Sequence, residues 1–201
     1  MNGGLVVLGF ASNRGKTDIG SQTIANLEEG VSLLGDLIGY GESVDFACSG
    51  MAMLPNSFPQ TTQEERMRRW LYGRLESDGR LDLAPCIRRS ADNPINRVLY
   101  NKTQGNAIQI LKLAKQNGWG QVYIVDHPFH IPRLKIALEY MTLVTRSKID
   151  FIYIRGEIDA SDNGQFVAQY LPAYWIYERL TTLYQFLWLA FHKNLIREAL
   201  Q

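Results

Sequence analysis

Val122-Tyr123-Ile124-Val125-Asp126-His127-Pro128-Phe129-His130-Ile131-Pro132-Arg133 opens on four apolar residues and turns polar in a single step. A short β-branched and aromatic run without alternation predicts a strand buried on both faces, as in a parallel sheet. Pro128 marks a tight turn. His130 or Ile131 then opens a helix, with Pro132 tolerated in its first turn. Strand, turn and helix start follow one another directly, which is the joint of a βαβ unit.

The same reading extends outward. Leu5-Val6-Val7-Leu8 ends at Gly9, and Ile149 to Ile154 ends at Arg155-Gly156, again as buried parallel strands. A weaker run, Val44 to Cys48, ends at Ser49-Gly50, and Leu81 to Ile87 carries Pro85, which suits an edge strand or an extended loop. Between them lie helical patterns. Ile24, Leu27, Val31, Leu34 and Ile38 mark one apolar face. Thr61-Thr62 can cap a helix from Gln63 to Leu75, with Glu64 and Glu65 in its first turn. Thr103 precedes Ala107, Ile110, Leu111 and Ala114, and Gly118 stops that helix. The alternation predicts an α/β domain with a mostly parallel, doubly wound sheet of about five strands.

A chain of 201 residues fits one domain spanning residues 1–201 and buries roughly 70% of its unfolded surface. Its 21 basic and 20 acidic residues nearly cancel, so no overall field draws it to nucleic acid or acidic lipid. The basic runs at Arg66 to Arg69 and at Arg88-Arg89 fit a solvated helix face and a loop. Cys48 and Cys86 stand in no metal or redox spacing, which suits a reducing compartment. The start of the chain lacks a signal-peptide pattern, and Leu183 to Phe191 is too short to span a bilayer. A cytoplasmic protein is expected. From about residue 165 the chain turns aromatic: Phe166, Tyr170, Tyr174, Trp175, Tyr177, Tyr184, Phe186, Trp188 and Phe191. Such a stripe at helical spacing reads as core, with a homo-oligomer contact as the alternative.

Ligands of open α/β sheets bind at the carboxyl ends of the strands. Gly9, with Ser12, Asn13 and Arg14 beyond it, Ser49-Gly50, and Asp126-His127 all fall there. The helix start after Val125 offers unpaired amides to an anion. Arg133 in a first turn opposes the helix dipole unless a negative group is near. His130 has the acid–base range for proton transfer. The plainer reading is a packed histidine and a surface arginine.

These residues resemble the YdcF-like (ElyC/SanA/YdcF) family. The likeness rests on His130-Ile131-Pro132-Arg133 as its His-x-x-Arg and on Thr103-Gln104-Gly105-Asn106-Ala107 as its Thr-x-x-Asn-Ala helix start. Ser49-Gly50 followed by Glu64 or Glu65, and Leu8-Gly9, complete the order between about Leu5 and Met141. The chain departs from the pattern where residues 22–39 hold no arginine, where Asp126-His127 replaces Thr-Ser, and where Met51 replaces a second glycine. The resemblance implies a Rossmann-like three-layer sandwich and a nucleotide-like ligand, S-adenosylmethionine being a candidate. In the expected site Arg133 pairs with an anionic group, and His130 is the donor or acid–base group. Thr103 and Asn106 orient the ligand, and Gly9, Ser49 and Gly50 let backbone approach it. Ser12, Asn13, Asp126 and His127 complete its lining.

Other chemistries remain open. Gly9 to Thr17 ends like a phosphate-binding loop, with Lys16 for phosphate and Asp126 for Mg²⁺, but it has five residues between its glycines where the motif has four. His127 and His130, with Asp126, suggest a metal hydrolase, but zinc wants a third ligand, and Asp126 is adjacent to His127 while His192 lies in the aromatic segment. No Gly-x-Ser-x-Gly elbow supports a serine hydrolase. A non-enzymatic binding or interaction module is the remaining class.

Overall fold

A computed structural model describes residues 2–9, 19–50, 62–89, 103–156 and 171–200, without the side chains of 171–178, 181, 195 and 199. Strands β1 (Gly3–Leu8), β2 (Val44–Ser49), β3 (Ile87–Arg88), β4 (Gln121–Asp126) and β5 (Asp150–Arg155) form one sheet in the order β3-β2-β1-β4-β5. Every pairing is parallel. Helices α1 (Ser21–Gly39), α2 (Gln63–Ser77), α3 (Thr103–Asn117) and α4 (Ile131–Thr145) flank it, followed by α5 (Leu171–Phe191) and α6 (Lys193–Ala199). The fold is therefore a Rossmann-like three-layer α/β sandwich, as expected from the alternation of strand and helix patterns.

The pleat divides the core in two. Val6, Leu8, Val122 and Ile124 face α3, α4 and the C-terminal helices. Leu5, Val7, Tyr123 and Val125 face α1 and α2. Burial on both faces explains why β1 and β4 read as unbroken apolar runs. β5 differs from the expectation of a strand covered on both sides. Asp150, Ile152 and Arg155 are exposed because β5 pairs only with β4 and forms the sheet edge. Leu81 to Ile87 also departs from a full strand. Leu81–Cys86 is a 3₁₀ helix containing Pro85, and only Ile87 and Arg88 pair, with Phe46 and Ala47.

Helix α1 is rotated from the face its apolar residues mark. Thr23, Leu27, Gly30, Leu34 and Leu37 are buried, while Ile24, Val31 and Ile38 are only partly covered. The cause is Gly30: a Cβ there would run into Val7 Cγ2, so its absence lets the helix settle closely on β1. The caps follow the sequence more closely. Thr62 Oγ1 accepts the Glu65 N–H at 3.2 Å, and Gly118, at φ +66°, follows α3.

The C-terminal segment is core on one side only. Leu189, Ile196 and Leu200 are buried and Trp188 packs partly against them, but Tyr184, Phe186 and Phe191 face outward. Phe166 and Tyr170 lie outside the described residues, as do the side chains of Tyr174, Trp175 and Tyr177. Among the described residues no helix is long and apolar enough to cross a membrane.

Candidate functional site

From β1 the chain steps outward to β2 and β3, then returns to place β4 on the other side of β1. The reversal between β1 and β4 is a topological switch point, the place at which open α/β sheets bind their ligands. Register aligns Leu8 with Ser49 and Val7 with Val125. Gly9, Gly50 and Asp126-His127 therefore come out at the same end of the sheet.

Three side chains form a hydrogen-bonded line there. Asp126, the last residue of β4, is 1% exposed. Its Oδ1 accepts the His127 N–H at 2.8 Å, and its Oδ2 lies 2.5 Å from His130 Nδ1. The geometry follows from the local sequence. The turn at Pro128 reverses the chain, the His130 N–H donates to the His127 carbonyl at 2.9 Å, and His130 becomes the N-cap residue of α4. The imidazole is thereby folded back over the strand end. Its other nitrogen, Nε2, is 3.0 Å from Oγ1 of Thr103, the first residue of α3. A carboxylate on Nδ1 keeps the proton on that nitrogen, which leaves Nε2 to accept from the threonine hydroxyl. Hydroxyl, imidazole and buried carboxylate thus stand in the order by which a side-chain base is oriented and its cation stabilised.

His127, its neighbour, has a different environment. It is buried, and its Nδ1 accepts the Phe129 N–H at 3.3 Å. Burial pushes its pKa down to about 4; Asp126 opposes the shift and His130 adds to it. His127 is a neutral imidazole at physiological pH, whereas His130 is the imidazole partnered by Asp126 and Thr103.

Around this line the strand ends are polar. Ser49 Oγ donates to Gln109 Oε1 at 2.7 Å and stands 3.5 Å from Asn106 Oδ1. Gln109 Nε2 is buried without a hydrogen-bond partner among the described residues. The Gly9 N–H donates to the Ser49 carbonyl at 2.8 Å. Gln63 lies across both glycines: a Cβ on Gly9 would come within 2.5 Å of its Cδ, and one on Gly50 within 2.9 Å of its Oε1. The space left by these glycines is thus occupied by Gln63. Asn26 Nδ2 donates to the Leu8 carbonyl at 3.1 Å and closes the end of β1. Cys48 offers no thiolate, because burial, together with Glu64, pushes its pKa strongly up against a smaller opposing effect of Arg68.

The expected site residues Gly9, Ser49, Gly50, Thr103, Asn106, Asp126, His127 and His130 all lie at this end of the sheet or on the helix starts beside it. Arg133 is in the first turn of α4 and partly buried, and its carbonyl accepts from Gln185 Nε2 at 2.9 Å. Ser12, Asn13 and Lys16 lie outside the described residues. Gln63, Gln109 and Asn26 were not expected, since an amide side chain within a helix reads as surface. The available signal was their place in the first two turns of helices that follow strand ends. Among the described residues no three histidine, cysteine, aspartate or glutamate side chains gather to hold a metal. Compared with known families, curated proteins and solved structures, the chain matches none of them.

Proposed function

We propose that the chain binds a small anionic, nucleotide-like or phosphorylated metabolite at the carboxyl end of β1, β2 and β4, and that His130 transfers a proton on it. The observation that carries this reading is the Asp126–His130–Thr103 line, in which one imidazole is oriented by a buried carboxylate and bonded to a hydroxyl. Such an imidazole takes a proton at Nε2 while Asp126 stabilises the resulting cation. Thr103 Oγ relays the proton or gives way to a ligand hydroxyl. Arg133, in the first turn of α4, meets the anionic group. The resemblance to YdcF-like proteins supports a nucleotide-type ligand, with S-adenosylmethionine a candidate. The unpaired Cys48 and Cys86 fit a cytoplasmic setting. Phosphoryl transfer through Lys16 and Asp126 is the less favoured reading, because both Asp126 oxygens are already engaged by His127 and His130.

The test is a thermal-shift panel on wild type, Arg133→Ala and His130→Asn. It uses S-adenosylmethionine, ATP with and without Mg²⁺, NAD, sugar nucleotides and phosphosugars. A ligand at about one hundred times its dissociation constant adds roughly 2.7 kcal/mol, a rise of roughly 5–10 °C at this size. A shift lost in Arg133→Ala supports the anion role. A shift retained in His130→Asn, with turnover abolished, supports proton transfer. A Mg²⁺-ATP shift that survives both substitutions would overturn the reading in favour of phosphoryl transfer.

A further inference from the structure

Helix α5 is held to the domain by one face. Gln185 and Leu189 are buried on it, Gln185 reaches the Arg133 carbonyl, and Trp188 stacks on His192 with ring centroids 4.3 Å apart. At about 100° per residue the opposite face is centred on Leu180, Leu183 and Leu187, flanked by Tyr184, Phe186 and Phe191. These six side chains are between 48% and 82% exposed. Charged residues would normally cover the outer face of a surface helix, yet Leu171–Phe191 carries only Glu178 and Arg179. At about 200 Å² for a fully exposed large side chain, the six present about 700 Å². A typical monomer's largest apolar patch is roughly 300–600 Å².

The spacing identifies the occupant. Leu180, Leu183, Leu187 and Ala190 follow a three-four-three rhythm, which Ile176 continues upstream in the sequence. Two helices mesh their side chains at this repeat. A face with this rhythm complements a copy of itself, and a two-fold axis brings the same face from both partners together. Burying the patch on both copies removes about 1,400 Å², within the roughly 1,200–2,000 Å² of specific interfaces. A membrane-surface helix would instead carry lysine and arginine along its polar face. α5 carries no lysine and a single arginine, Arg179.

We infer that α5 is a dimerisation helix, and that a second copy of this chain docks along its Leu180–Leu183–Leu187 seam. The interface is independent of the strand-end site. Sedimentation equilibrium of the full chain between about 1 and 100 μM tests it. Wild type gives the mass of two chains. The double variant Leu183→Glu/Leu187→Glu gives that of one, with an unchanged far-ultraviolet dichroism spectrum and at least a roughly hundredfold weaker dissociation constant. If the double variant fails to fold, Phe191→Lys, at a position 82% exposed, carries the same test with a smaller weakening. A wild type that stays monomeric at the highest concentration overturns the inference, as does a folded double variant that stays dimeric. A monomeric wild type that co-sediments with phosphatidylcholine vesicles overturns it in favour of a membrane surface.

Discussion

Lowering the pH from 7 to 5 should remove stability through one side chain. His127 is buried at the end of β4, and its Nδ1 is already used to accept the Phe129 N–H. Its folded pKa lies at about 4, against 6.5 for the ordinary imidazole. The unfolded chain therefore binds the proton more readily, and the stabilisation is present above pH 6.5 and lost as pH falls toward 4. At 1.36 kcal/mol per pH unit, the whole window is worth at most about 3.4 kcal/mol, of which about 2 kcal/mol is lost between pH 7 and 5. Urea unfolding of wild type and His127→Asn at the two pH values, at constant ionic strength, isolates this contribution. The asparagine carbonyl can still accept the Phe129 N–H but cannot titrate. Asp126 and His130, the neighbours that shape the shift, remain in both proteins. Wild type should lose about 2 kcal/mol more than the variant, equivalent to a difference of roughly 4–8 °C in Tm. Equal losses in the two proteins would refute the claim that burial keeps this imidazole neutral.

Two further substitutions separate chemistry from packing. Asp126→Asn keeps the shape of the carboxylate but no longer fixes the Nδ1–H tautomer of His130. Turnover of whichever metabolite shifts the wild-type melt should fall at least about a hundredfold with its dissociation constant little changed, as read by steady-state kinetics and calorimetry. Gly30→Ala should destabilise despite the better helix former. Alanine gains about 1 kcal/mol of helix propensity, whereas pressing a methyl group against Val7 costs about 1–3 kcal/mol, so urea unfolding should show a net loss.

The strands and their order of burial were legible because β1 and β4 are covered on both faces and admit only apolar residues. The edges were less so. β5 has a similarly apolar centre, Phe151 to Ile154, but one neighbour, and β3 shrinks to two residues behind Pro85. Nothing in local periodicity distinguishes an edge from a centre. Helix α1 was misaligned because its seam is built around Gly30, and an apolarity count gives no weight to a residue that matters by having no side chain. Within the site, Asp126 and His130 are four residues apart and their nearness could be read from the turn. The contact with Thr103 could not, since it depends on α3 starting beside the end of β4, twenty-seven residues away.

The distribution of buried polarity also points to this end of the sheet. Among the described residues the buried polar side chains are Gln22, Thr23, Asn26, Ser49, Gln63, Glu64, Thr103, Gln104, Gln109, Asp126, His127 and Gln185. All but Gln185 lie at the last residues of a strand, just beyond it, or in the first two turns of a helix flanking the sheet. Each must find a partner or cost about 1–3 kcal/mol. Among the described residues the amino-terminal edge holds fewer: there the buried Trp119 donates through Nε1 to Asp45 Oδ2 at 2.8 Å and the Tyr123 hydroxyl donates to Gln121 Oε1 at 3.2 Å. The concentration of buried polar side chains at the carboxyl end supports the proposed binding of a polar ligand there. The amide nitrogen of Gln109, whose oxygen accepts from Ser49, is buried without a partner among the described residues.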